Sequence, residues 1–268
     1  MPGPGRFATD TAVHAEGPGR YGTSIHPDWF APAGPNGGYL AAVVARAMTA
    51  EVADPERRLR SLTMHYLART DVGPAELDVA IERAGRSLSS TSARLQQGGR
   101  LAVLALGAFA TDRDQAIDFD DAAMPAVAPP DECPPMPEPP FPLPIRSRFQ
   151  LRLGIGGPMF QENDEALTGG WIRLADGEPL DDLALVAVTD AWPPAAFTRV
   201  AARMAVPTVD LTVHLRRPVP DPAGWLLVVF RTRLSAGGYL EEDGEVWSED
   251  GRLLAHSRQL ALAQPLPV

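Results

Sequence analysis

The sequence predicts an α+β protein made of two similar halves, each an apolar helix followed by antiparallel strands, with a proline-rich connector between them. Three observations carry this prediction. "SLTMHYLART" (61–70) reappears as "DLTVHLRRPV" (210–219), and "GGRLAVLALGAFA" (98–110) as "DGRLLAHSRQLAL" (250–262), at offsets of 149 and 152 residues. Two matches in one order at nearly one offset indicate an internal duplication, and so long a period means duplicated domains rather than a solenoid. Residues 115–147 are dense in proline and acidic side chains, "AVAPPDECPPMPEPPFPLP" among them. Proline breaks helices and cannot donate to a ladder, so this segment reads as an extended connector. Met136, Phe141 and Leu143 within it favour a strap laid on a surface. The division is therefore 1–114, 115–147 and 148–268. The third observation is the repeated pattern of elements.

In each half a strand-like segment comes first, near 7–15 with 20–26 and near 148–154 with 170–174. A helix follows. Residues 38–51 carry Leu40, Val43, Val44, Ala47 and Met48 at helical spacing with alanine elsewhere, the composition of a helix buried on most sides. The second helix is placed at 191–204, opened by "TDAWPP". Asp190 would be its N-cap, with Pro193 and Pro194 in a first turn that tolerates proline. Four strands follow each helix: 60–69, 76–84, 88–97 and 100–111, then 208–216, 225–234, 239–248 and 252–263. "DVGPA", "QGGR", "PDPAG" and "EDGR" mark turns. Short connections suit antiparallel pairing, and one helix against such a sheet is an α+β layer.

Composition excludes several functions. The 268 residues carry a formal net charge of −10, which disfavours nucleic acid or an anionic membrane as partner. A single cysteine, Cys133, leaves no intramolecular disulfide and points to a reducing, cytoplasmic setting. The opening "MPGPGRFATD" has no apolar core of a signal peptide, and no apolar run approaches the roughly 20 residues of a membrane span. There is no Gly-x-Ser-x-Gly elbow, P-loop, dinucleotide fingerprint, His-Glu-x-x-His or Cys-x-x-Cys, so no metal or cofactor is expected.

"GPNGGYLAAVVARAM" (34–48) is the most suggestive stretch. Asn36, Gly37 and Gly38 open a helix with bare backbone amides, which can hold a carbonyl oxygen or an anion. The commonplace reading is a cap and a tight turn. Asp190 has the same commonplace reading. Thr208 and Gln259 alone would be ordinary strand residues. Asp210, two residues from Thr208, would share its face of a strand and is the reserve candidate to Asp190 as an acid. His65 and His214 occupy matched positions of the two halves. Trp171, Trp192, Trp225 and Trp247 would fill the core or line a tunnel.

Taken together, "DTAV" (10–13), "PNGGYLAA" (35–42), "GWIRLADGEPLD" (170–181), "TDAWPP" (189–194), "PTVDLTVHLRRP" (207–218), "GWLLV" (224–228) and "DGRLLAHSRQ" (250–259) resemble the acyl-CoA thioesterase family of the bacterial thioesterase II type. The resemblance spans nearly the whole chain and implies a double hotdog, two tandem repeats of a helix wrapped by an antiparallel sheet. It implies an acyl-CoA substrate, no cofactor, and leaves room for a homo-oligomer of double hotdogs. It implies an Asp–Thr–Gln set that activates water, here Asp190, Thr208 and Gln259, with Asn36, Gly37 and Gly38 binding substrate. Gly107 and Leu59 stand for Gln259 and Thr208 in the first half, and Asn36 loosely for Asp190, so one competent site per chain is expected. A hydratase or dehydratase relying on one of the histidines, and a non-catalytic acyl-binding protein, are the alternatives.

Overall fold

The computed structural model describes residues 5–114, 116–139 and 141–265; residues 115 and 140 of the expected connector lie outside the described residues. A short helix α1 (Arg6–Asp10) replaces the start of the strand expected from residue 7, and strands β1 (His14–Gly17) and β2 (Arg20–Ile25) follow. Helix α2 spans Gly37–Val52. The first strand quartet is β3 (Arg58–Tyr66), β4 (Gly73–Ala84), β5 (Leu88–Gln97) and β6 (Arg100–Ala110). Beyond the connector come β7 (Phe149–Gly156), β8 (Ala166–Leu174), helix α3 (Asp182–Val188), and the second quartet: β9 (Thr208–Leu215), β10 (Leu226–Thr232), β11 (Tyr239–Ser248) and β12 (Leu253–Leu262). Six of the eight quartet strands begin and end within about two residues of the expected bounds; β3 ends three residues early and β4 begins three residues early.

These strands form one antiparallel sheet in the order β1-β2-β4-β5-β6-β3-β9-β12-β11-β10-β8-β7. The order reads outward from the β3–β9 junction in the same way on both sides. At the junction Thr63 pairs with Thr212 and Leu62 with Val213. The Thr63 and Thr212 hydroxyls meet at 3.1 Å across 149 residues of sequence. The irregularities correspond too: β3 shifts register between Leu59 and Ser61 against β6, and β9 between Thr208 and Asp210 against β12.

The helices pack on one face. In α2, residues Gly38 to Ala45 are all buried, as are Ala47 and Met48. Its alanines keep it slim enough to lie inside the curve of the sheet. The Asn36 side chain caps it by accepting the Tyr39 N–H at 2.9 Å. Trp29, 1% exposed, stacks on Tyr39 at 5.2 Å and takes Phe7 and Phe149 edge-on. This aromatic group fastens α1 and β7 to the start of α2. The connector lies partly on the opposite face and partly at the helix-side core, which Met136 and Leu143 join. Met124, Val127 and Cys133 cover Trp171, Leu227, Trp247 and Leu253, and the Trp171 indole donates to the Ala128 carbonyl at 2.8 Å. Three of the four tryptophans assigned to core or tunnel, Trp171, Trp225 and Trp247, therefore sit beneath this strap; Trp192 alone belongs to the helix-side core.

The second helix differs from expectation. It runs 182–188, capped by Asp181, whose carboxylate accepts the Ala184 N–H at 2.8 Å. Residues 191–203 are a turn, a short 3-10 segment (Ala195–Thr198) and a loop, and Met204 opens a two-residue strand. "DDLALVAV" is too short and apolar to show helical periodicity, so the proline pair drew attention instead. Pro193 and Pro194 follow the helix rather than open it: each lacks an N–H, and the residue before a proline avoids the α region. Asp190 thus lies two residues beyond a helix end, and the counterpart of Asn36 as N-cap is Asp181. Among the described residues no helix is long and apolar enough to cross a membrane.

Trp29→Ala should cost about 3–5 kcal/mol, the usual range for truncating a buried aromatic. It removes the stack on Tyr39 and leaves Asp10 without the indole N–H, donated at 2.9 Å. Chemical denaturation of native and substituted protein measures this directly.

Candidate active site

Asp190 is carried past the end of α3 and faces the start of α2. Its carboxylate oxygen Oδ2 accepts the Gly38 N–H at 3.0 Å and the Asn36 side-chain amide at 2.9 Å. The same Asn36 amide also donates to the Asp190 carbonyl at 2.6 Å. One asparagine therefore caps α2 with its oxygen and grips Asp190 with its nitrogen. The glycines are required by this approach. A Cβ on Gly38 would run into the Ala187 carbonyl of α3, and one on Gly37 would sit 2.9 Å from the Asp190 carboxylate and 3.0 Å from the Tyr66 hydroxyl. The positive end of α2 meets a negative charge here, as helix N-termini favour.

Burial pushes the Asp190 carboxyl up to about 6, against the pull of the Gly38 and Gly37 N–H groups and the amides of Asn36 and Gln259. Tyr66, at the inner end of β3, donates to the Gly37 carbonyl at 2.7 Å. Burial and then the Asp190 charge hold its phenol well above the ordinary tyrosine range.

On the sheet side, Thr208 and Gln259 join directly: the Thr208 hydroxyl donates to the Gln259 Oε1 at 2.8 Å. The Gln259 Nε2 donates to Glu242 Oε1 at 2.8 Å, and Glu242 Oε2 accepts the Ala195 N–H at 2.5 Å. Glu242 is 3% exposed. Burial pushes it up to about 7, opposed by the Ala195 and Gln259 donors and reinforced by the Asp190 and Glu241 charges. The six residues expected from the sequence, Asn36, Gly37, Gly38, Asp190, Thr208 and Gln259, thus lie in one connected cluster. It is made by both halves: the helix start comes from the first and the Asp, Thr and Gln from the second.

Sequence reasoning passed over Glu242 and Tyr66. Glu242 was signalled by period two: it shares a strand face with Leu240 and Val246, both buried. A charge on an apolar face calls for a partner. Tyr66 continues the inward face of Leu62 and Met64. Asp210 departs from expectation. Thr208 pairs with buried Ala261, but the register shift sets Asp210 opposite exposed Leu260 and His65, so the two residues face opposite sides. His65 and His214 are exposed on that same outer side, away from Asp190. Neither can serve a hydratase working at this cluster.

Family models for the acyl-CoA thioesterase N-terminal and C-terminal domains match residues 25–110 and 130–263. The chain belongs to the thioesterase II-type acyl-CoA thioesterase family. An Alicyclobacillus acidocaldarius protein of unknown function with the hotdog fold is 30% identical, covers 98% of each chain and superposes with a TM-score of 0.87. A Thermobifida fusca protein provisionally assigned as a thioesterase II is 28% identical, covers 98% of this chain and 99% of its own, and has a TM-score of 0.86. The acyl-CoA thioesterase II TesB2 of Mycobacterium marinum shares the fold, at 22% identity, 97% and 98% coverage and a TM-score of 0.79. The family is one of acyl-thioester hydrolases, and the sheet with its enclosed helix is a hotdog fold.

Gly38→Ala should disrupt this candidate site. The added methyl meets a backbone carbonyl that no rotamer change can move, so α2 and α3 must part. Overpacking of this kind costs about 1–3 kcal/mol, and Asp190 moves away from the helix start with α3. A lowered thermal midpoint, with a larger loss of turnover than Ala→Gly controls elsewhere in α2, is the expected result.

Proposed function

We propose that the chain is a double hotdog, residues 1–114 and 148–268 joined by the strap 115–147, and that it hydrolyses an acyl-CoA thioester to free acid and CoA at the Asp190 cluster. The observation that carries this reading is the Asp190 carboxylate, raised towards neutrality and held at the helix start beside the Thr208–Gln259 pair. A thiolate leaves easily, so the reaction chiefly needs a nucleophilic water and a polarised carbonyl. Asp190 accepts a proton from water as the water oxygen attacks the thioester carbon. Thr208 and Gln259 orient that water. Collapse of the tetrahedral intermediate breaks the C–S bond, and the proton held by Asp190 returns to the departing sulfur or to solvent. Asn36, Gly37 and Gly38 border the substrate carbonyl, and the positive end of α2 favours charge developing on its oxygen.

The second half alone supplies the water chemistry. Strand register sets Gly107 opposite Leu62 and Thr91, as Gln259 is set opposite Leu211 and Glu242. Leu59 stands where Thr208 does, and Gly107 has no room for a side chain: its Cβ would lie 2.7 Å from the Thr91 hydroxyl and 2.9 Å from Met48 Sδ. Release of thiol from short, long and aromatic acyl-CoAs tests the activity. Absence of release across the panel would sink it.

Asp190→Asn should lower kcat by about 10²–10⁴-fold, the usual cost of losing a general base. With Asp190 required ionised, kcat/KM of the native enzyme should fall as pH drops below about 6. Stability should move the other way. The folded carboxyl titrates above its ordinary value, so its contribution to stability is full below that value and is lost as pH rises through about 6. Asparagine can still accept from Gly38 and carries no charge. Its thermal midpoint should therefore equal the native one at pH 4 and match or exceed it at pH 8.

Thr208→Val and Gln259→Ala should lower kcat while leaving KM nearly unchanged, since both residues act on water rather than on the acyl chain. Steady-state kinetics showing raised KM alone would move them to substrate binding.

A further inference from the structure

Glu242 is a buried acid to which the reaction above gives no part. It comes from β11, between Leu240 and Val246, and both its oxygens already accept hydrogen bonds, from the Ala195 N–H and from Gln259 Nε2. A glutamine amide has two unlike ends, and its neighbours decide which way it faces. Above about pH 7, where Glu242 is ionised, it has no hydrogen to give and can only accept. Glu242 therefore draws the nitrogen of Gln259 to itself and leaves Gln259 Oε1 to accept from Thr208. The second hydrogen of that nitrogen is then available to Asp190, whose carboxyl the Gln259 amide helps hold in its charged form. The other oxygen of Glu242 grips Ala195, the start of the turn that follows Asp190 and the Pro193–Pro194 pair.

The duplication gives independent support. By strand register the counterpart of Glu242 is Thr91, just as Gly107 is the counterpart of Gln259. Thr91 spends its hydroxyl on the Gly107 carbonyl at 3.3 Å. The acid is present in the half that has the glutamine and absent from the half that lacks it. A buried carboxyl is costly to keep, and the sheet alone does not need one, since the first half forms the same strands without it.

We propose that Glu242 is a positioning residue that fixes the Gln259 amide with its nitrogen towards Asp190 and its oxygen towards Thr208, and so orients the attacking water. This rests on the thioesterase reading for its consequence, though not for its geometry.

Glu242→Gln tests it, because the shape is kept and the pattern of donors is not. The substituted side chain can accept from Ala195 with its oxygen, and its nitrogen then faces Gln259. Gln259 must turn over, presenting oxygen to the new amide and nitrogen to the Thr208 hydroxyl. The expected kcat loss is about 10–100-fold, the range for removing outer partners that orient an active-site group, with KM nearly unchanged. In the Gln259→Ala background, Glu242→Gln should add no further loss. A loss that multiplies on that background would mean Glu242 acts otherwise and overturns the proposal. A second readout needs no activity. In NMR spectra the NOE between the Gln259 side-chain amide protons and the Thr208 methyl should be weak in the native protein and clearly stronger in Glu242→Gln, where the amide nitrogen turns to Thr208. If its intensity is the same in both, or falls on substitution, the positioning role fails. If instead no acyl-CoA releases thiol while the NOE pattern is as expected, the hydrolase reading falls and the orientation of Gln259 stands.

Discussion

The Asp190 carboxylate against the start of α2 is the contact on which the arrangement of this molecule turns. It is a charge from the second half, placed beyond the end of α3, accepting from Asn36 and Gly38 of the first half. Two costs are set against each other there. Burial penalises the charge, while the helix dipole and the donors around it recover part of that penalty. The balance leaves a carboxyl that titrates near 6 instead of near 4. A carboxylate fully relieved by its neighbours would be a poor base, and one left unrelieved would be protonated at neutral pH. The glycines, the slim alanine face of α2 and the short α3 all allow the close approach that sets this balance.

The junction of β3 with β9 explains how one chain comes to bring these groups together. Like strands pair at the midpoint, threonine on threonine, so the two halves meet as subunits of a symmetric dimer would. Covalent linkage frees the halves to diverge. In the first half α2 keeps its full length and Gly107 lets Met48 press against the sheet. In the second half the helix stops at Val188, and the space along the sheet is taken by Asp190, Trp192 and the turn at Ala195. On the strands beneath, Thr208 and Gln259 bring hydrogen-bonding ends where the first half has Leu59 and Gly107, and the Glu242 carboxyl stands in place of the Thr91 hydroxyl. The loss of helix and the gain of polar groups are two sides of one change, since a longer α3 would cover the residues that the polar side chains reach.

Much of this was legible in the sequence. Strand-like segments bounded by turn residues placed the eight long strands, including β10, whose first five residues are all buried and show no alternation. Both internal matches fell on strands that pair, or correspond, across the junction. The six residues proposed for the site were legible only through resemblance to a family, because each alone reads as a cap or a strand residue. What failed did so for local reasons. α3 is seven residues long, with Leu183, Leu185, Val186 and Val188 leaving no polar face to reveal its period. Asp210 was placed on the wrong side of β9 because a register shift inserts one residue between it and Thr208, and alternation cannot foresee a bulge. Glu242 was missed because its meaning lies in partners from two other elements.

Position relative to a helix end carries a further lesson for reading this family's site. A carboxylate at an N-cap spends itself on its own helix, as Asp181 does on Ala184. Asp190 caps nothing in its own half. It comes after the helix, is stopped from extending it by the prolines that follow, and presents its oxygens to a different helix. Its hydrogen bonds therefore span 152 and 154 residues of sequence rather than three. A long-range contact of this kind cannot form until both halves are folded and joined. The proposed site is consequently a property of the assembled pair, since the donors that hold the Asp190 carboxylate come from the other half.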